Sequence, residues 1–92
     1  MGYFVYILYS PKADRYYVGQ TENLAFRLQH HNEGKVTSTK AYVPWELKHS
    51  ETYATRSEAM QREREIKVRK SRRYIEELIA HQARLAESRG RD

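Results

Sequence analysis

The sequence predicts an α+β domain: a three-stranded, mainly antiparallel sheet flanked by helices, in the order strand, strand, helix, strand, helix, helix. Three observations carry this. The run Tyr3 to Tyr9 is aromatic and β-branched, the mark of a buried strand. Two later stretches repeat apolar residues at three- and four-residue spacing behind good helix caps. The chain has 92 residues, enough for one core, so 1–92 is expected to be one domain with its core at 3–80 and a frayed tail at 88–92.

Each element has a local cause. Ser10-Pro11-Lys12-Ala13-Asp14 is turn chemistry, and Arg15 to Gln20 reads as the returning strand of a hairpin. Thr21 or Asn23 can cap the first helix, with Glu22 near its positive end. Leu24, Arg27, Leu28 and His31 mark one face of it, and Gly34 stops it. Lys35 to Val43 has no periodicity and reads as loop. Pro44 is tolerated at the start of the strand Trp45 to Tyr53, whose alternation is weak. Thr55-Arg56-Ser57-Glu58 matches a capping box, opening a helix to about Arg69. Ser71 can cap the last helix, where Ile75, Leu78, Ile79 and Leu85 form an apolar stripe.

Composition removes several classes of function. There is no cysteine, so disulfides, thiol nucleophiles and cysteine-ligated zinc are excluded. No apolar run reaches membrane length and no export leader is visible, so a cytoplasmic protein without a membrane partner is expected. No glycine-rich phosphate loop, zinc-type histidine pair or nucleophilic serine relay is present. The net charge of +5 is concentrated: Arg62, Arg64, Lys67, Arg69, Lys70, Arg72 and Arg73 stand against Glu63 and Glu65 alone, and the remaining residues sum to zero. A local cationic cluster fits a polyanion, most often nucleic acid, or else a solvated helix face.

Five positions could carry chemistry. Tyr6 and Tyr17 pair directly if the hairpin turns between Pro11 and Lys12, which sets two phenols side by side on one face. Such a pair either only packs or forms a site. Gly19 weakens its strand unless something approaches the backbone closely. Arg27 on a core-facing stripe needs an outlet at the edge, a carboxylate, or a phosphate to clamp. His31 one turn later is a donor to that phosphate or a helix C-terminal cation. Glu63, between Ala59 and Ile66 on its helix, is either an ion-pair partner of Lys67 or a ligand for a hard divalent cation.

The ordered set Val5-Tyr6-Ile7, Tyr17-Val18-Gly19, Arg27, His31-Asn32 and Gly34 resembles the GIY-YIG nuclease family. Pro44-Trp45-Glu46-Leu47 and Glu63-Arg64-Glu65-Ile66-Lys67 are similar to its small single-domain bacterial branch. Phe4 stands where the name motif has its first glycine. The resemblance implies a metal-dependent endonuclease using Mg²⁺ or Mn²⁺, with Tyr6 and Tyr17 as active-site tyrosines, Arg27 stabilising phosphate, Glu63 binding metal, and His31 at a position that is often functional. The substrate implied is DNA, with RNA open, tracked along its backbone by the basic cluster and used in repair or recombination. The rivals are a non-catalytic nucleic-acid-binding module on the same fold, and a core recruited by a protein partner that docks on the last helix.

Overall fold

The structure, a computed structural model, describes residues 2–90, with side chains as far as residue 86. Its elements follow the expected order: β1 (Tyr3–Ser10), β2 (Arg15–Thr21), α1 (Leu24–Asn32), β3 (Glu46–Tyr53), α2 (Arg56–Arg69) and α3 (Arg72–Gly90). The loop before β3 contains a single 3₁₀ turn, Lys40–Tyr42. The helical backbone of α3 includes residues 88–90, while 91 and 92 of the expected tail lie outside the described residues.

The sheet order is β2-β1-β3, antiparallel throughout, which puts β1 at the centre. A central strand packed from both sides has no polar face, and this is why residues 3–9 carry no alternation. Val5 and Ile7 point to one side and pack with Val18, Ala59 and Ile66 beneath α2 and α3. Tyr6 and Leu8 point to the other and pack with Trp45, Tyr17, Leu24 and Leu28 beneath α1 and the loop. The weak alternation of β3 also has a cause. The pairing jumps from Ile7↔His49 to Leu8↔Leu47, so Lys48 is an extra, bulged residue that shifts the facing of the strand.

Caps form where the sequence places them. Asn23, not Thr21, caps α1, its side chain accepting from the Phe26 N–H at 3.1 Å. Thr55 and Glu58 exchange both capping-box bonds at 3.2 Å. Ser71 Oγ accepts from the Tyr74 N–H at the start of α3.

The hairpin register differs from the expected one. Tyr6 lies opposite Gly19, and Tyr17 opposite Leu8. The turn is centred one residue later than Pro11 and Lys12 suggest, because Ser10 closes it: its carbonyl accepts from Asp14 N–H at 2.8 Å and its Oγ from Ala13 N–H at 3.2 Å. Asp14 adopts a left-handed φ of 53° there. The offset is two residues, and strands repeat every two, so the phenols keep a common face but sit diagonally. Gly19 becomes the close neighbour of Tyr6. A Cβ on Gly19 would lie 2.5 Å from the Tyr6 Oη and 2.6 Å from its Cζ.

A polar cluster locks β3 to the helices. Glu51 accepts from Arg62 Nε at 2.8 Å and Nη2 at 3.2 Å, from Tyr53 Oη at 2.6 Å, and lies 2.7 Å from His49 Nε2. Arg62 also donates to Tyr74 Oη at 3.0 Å, tying α3 into the same cluster. Further along, the Gln82 amide donates to the Ser50 carbonyl at 2.7 Å and accepts from its N–H at 3.1 Å.

Two outcomes follow. Gly19→Ala forces Tyr6 to move inside a close-packed face, which should lower stability by about 1–3 kcal/mol in thermal or urea unfolding. Partial burial opposes ionisation of Glu51, but the bonds from His49, Arg62 and Tyr53 outweigh it and hold the carboxyl well below the usual range. A carboxyl depressed in the folded state stabilises the fold above its unfolded value and loses that contribution as pH falls through the folded one. Stability should therefore fall as pH drops below about 4.3, and Glu51→Gln should be less stable at neutral pH with a flatter acid limb.

Candidate active site

Tyr6 brings its hydroxyl to the inner surface of α1 with only 1% exposure. A buried hydroxyl requires partners, and α1 supplies two from one face. His31 Nε2 lies 3.0 Å from Tyr6 Oη, and Arg27 Nε donates to the same oxygen at 3.4 Å. Tyr17 completes the group, its ring centroid 5.0 Å from that of His31 and 6.3 Å from that of Tyr6.

Burial and the charges of Arg27 and His30 depress His31 to about 4, so the ring is neutral near pH 7. It is fully buried, and the expectation of a helix C-terminal cation gives way to a neutral hydrogen-bonding imidazole. Burial pushes the Tyr6 phenol above its ordinary value, with the Arg27 hydrogen bond pulling the other way. His30 stacks on the exposed Phe26 ring at 5.7 Å, on a neighbouring face of α1.

The loop before β3 is fastened to this site by side chains that sequence reading left unassigned. Asn32 accepts from the Trp45 N–H at 2.6 Å and donates to its carbonyl at 3.0 Å. Thr39 Oγ1 lies 2.8 Å from His31 Nδ1, and the Thr39 carbonyl accepts from the Trp45 indole at 3.0 Å. A threonine in a Thr/Ser-rich loop carries no sequence signal of such burial.

Helix α2 reaches Tyr17 through its charged residues. Lys67 Nζ lies 5.9 Å from the Tyr17 ring centroid and 2.6 Å from Glu63 Oε2. The Glu63–Lys67 pair is thus formed, with Glu63 half-buried beside Ala59 and Ile66. No cluster of three or more His, Cys, Asp or Glu side chains able to hold a metal occurs among the described residues. A preformed cage is therefore not what these residues offer. One half-buried carboxylate lining a surface hollow, completed by water and phosphate oxygens, is a donor set that fits Mg²⁺.

The basic cluster divides. Arg62 is turned inward to Glu51 and Tyr74, which removes it from the cations facing solvent. Arg72 is tied to Asp14 and Glu76, and Arg69 lies over the Tyr74 ring at 4.1 Å. Arg64, Lys70 and Arg73 are exposed and enter no ion pair among the described residues. A groove of about 510 Å³ runs between β2 and the α2–α3 junction, lined by Arg15, Tyr16, Tyr17, Lys67, Lys70 and Arg72 among others. A smaller hollow holding Glu63 and Arg64 shares Lys67 with it. No described helix is long and apolar enough to cross a membrane.

The chain is similar to several known proteins over this whole arrangement. It is 37% identical over 79 residues to a UPF0213 protein of Bacillus licheniformis, covering 82% of this chain and 80% of that one. A UPF0213 protein of Natronomonas pharaonis is 39% identical over 79 residues, covering 85% and 91%. The solution NMR structure of a UPF0213 protein from Bacillus halodurans superposes with a TM-score of 0.54 at 33% identity, covering 87% of this chain and 84% of that one. The family model for the GIY-YIG catalytic domain matches residues 2–75, a span that takes in both tyrosines, Arg27, His31 and Glu63, and this chain belongs to the GIY-YIG nuclease family.

Proposed function

We propose that this protein is a divalent-metal-dependent endonuclease that hydrolyses phosphodiester bonds in DNA, directed by backbone and shape rather than by base sequence. The observation that carries the reading is the hydrogen-bonded set of a half-buried Arg27 with buried Tyr6 and His31, standing behind a half-buried Tyr17 that lines a cationic groove. A module that only binds nucleic acid needs cations on its surface. It has no use for a phenol, a neutral imidazole and a guanidinium bonded together between the sheet and α1.

Phosphodiester hydrolysis needs an activated water, neutralisation of charge building on the phosphoryl oxygens, and help for the leaving oxygen. Arg27 spends Nε on Tyr6 and keeps its terminal nitrogens for a phosphate, in the planar geometry that suits it. Tyr17 lines the groove, so it is the phenol assigned to the attacking water, while Tyr6 holds Arg27 in place from within. Glu63 is the residue that would hold Mg²⁺ or Mn²⁺, releasing Lys67 to the substrate backbone. When bound, such an ion stabilises charge on the phosphate and the leaving oxygen. Arg64, Arg69, Lys70 and Arg73 extend the cationic track past the site.

Nicking of supercoiled plasmid with Mg²⁺, and its loss with chelator, is the direct test. Glu63→Gln loses one partly exposed i, i+4 pair, so stability should change by only about 0.3–0.5 kcal/mol. Cleavage should drop by about a hundredfold or more, the scale of removing one transition-state stabiliser. Glu65→Gln should cleave normally, and Glu58→Gln also, since glutamine can keep the capping box. Parent-rate nicking by Glu63→Gln rules out the metal assignment.

Binding gives an independent measurement. Replacing Arg64, Arg69, Lys70 and Arg73 with glutamine should reduce the slope of log affinity against log salt by up to about 3.6 if each meets one phosphate. An unchanged slope makes the patch an ordinary solvated surface.

A further inference from the structure

Thr39 sits in a segment that composition marks as plain loop, yet it is 1% exposed. Its backbone N–H donates to the Val36 carbonyl at 3.0 Å, and its carbonyl is taken by the Trp45 indole. Its hydroxyl oxygen lies 2.8 Å from His31 Nδ1 and 3.4 Å from the Val36 carbonyl oxygen.

Proton counting gives this chain of contacts a direction. His31 is neutral, so its ring has a single N–H. If that N–H were on Nε2, it would donate to Tyr6 Oη. Arg27 has no lone pair to offer and also donates to Tyr6 Oη. The Tyr6 proton would then be buried with no acceptor among the described residues, an expensive state. With the N–H on Nδ1 every proton is placed. Arg27 Nε–H donates to Tyr6, Tyr6 O–H to His31 Nε2, His31 Nδ1–H to Thr39 Oγ1, and Thr39 O–H to the Val36 carbonyl.

We propose that Thr39 is a positioning residue that holds His31 in the Nδ1–H tautomer, so that Nε2 takes the Tyr6 proton and the Tyr6 oxygen is left to anchor Arg27 through Nε alone. The inference rests on the proposed nuclease reading for its purpose, since an Arg27 so anchored keeps both terminal nitrogens for phosphate. Its physical content, the tautomer and its dependence on Thr39, is independent of any activity. Without the Thr39 oxygen, Nδ1–H loses its acceptor and the preference for that tautomer collapses. Arg27 then shares its acceptor with a competing donor.

The test is the long-range ¹H–¹⁵N spectrum of the imidazoles in the ¹⁵N-labelled full chain at neutral pH, for the parent, Thr39→Val and Thr39→Ser. The parent should show His31 protonated on Nδ1 with a bare Nε2. Thr39→Val should move the ring to mixed or Nε2-protonated form, and Thr39→Ser should keep the parent signature. In plasmid cleavage, Thr39→Val should lose about ten- to a hundredfold in kcat through misplacement of Arg27, with KM little changed, and Thr39→Ser should restore it. A parent His31 protonated on Nε2 overturns the inference without any variant, which protects the test should Thr39→Val fail to fold. A folded Thr39→Val with the parent ring spectrum overturns it too. A parent that never cleaves DNA defeats the nuclease reading, while its ring spectrum still decides the tautomer.

Discussion

A phenol hydroxyl in the middle of the central strand is the constraint around which this domain is arranged. Tyr6 lies on β1, which is covered on both sides, so its Oη has no route to water. An unpaired buried hydroxyl costs on the order of 1–3 kcal/mol, and partners must therefore be brought to it. Helix α1 brings His31 and Arg27 on a single face. The ring needs room to reach them, and β2 yields it by having no side chain at Gly19. The His31 ring in turn needs a partner on its far side, and the loop folds inward to provide Thr39. Strand, helix and loop are thus set by successive demands of hydrogen bonding, each starting from one oxygen.

The two faces of the sheet do different work. The face under α1 carries Tyr6, Tyr17, the imidazole and the guanidinium. The face under α2 and α3 is mainly apolar, and its carboxylate, Glu51, is bound by Arg62, Tyr53 and His49. This arrangement accounts for why the basic cluster does not act as a unit. A stretch rich in arginine contributes Arg62 to hold β3 and Arg72 to brace the turn at Asp14, leaving a smaller set for solvent.

Element order, caps and core were legible because each rests on local chemistry: an apolar run for β1, Thr55 with Glu58 for α2, Asn23 for α1. The common facing of Tyr6 and Tyr17 was legible as well, since strand parity survives a shift of two. The register itself was not, because Ser10 and Asp14 close the turn through bonds that residue types alone do not specify. For the candidate site, the stripe of Arg27 and His31 on α1 pointed inward as its spacing implied. What the spacing could not convey was that His31 would be too deep to hold a charge. Thr39 was invisible, for its role depends on a contact eight residues back in a segment with no periodicity. The polar side of β3 had a readable trace: His49, Glu51 and Tyr53 alternate, and an edge strand with acid, imidazole and phenol on one face calls for a basic partner.

The Gln82 side chain bears on how this sheet meets other molecules. A strand at the border of a sheet exposes a row of unpaired peptide groups, which invites another chain to add to it. At Ser50 the Gln82 amide supplies one donor and one acceptor, as a neighbouring strand would, and so blunts the β3 border. The opposite border, β2, pairs only with β1 among the described residues and runs along the cationic groove. One border is thus closed by an amide that imitates backbone, while the other is lined by the basic side chains of the groove.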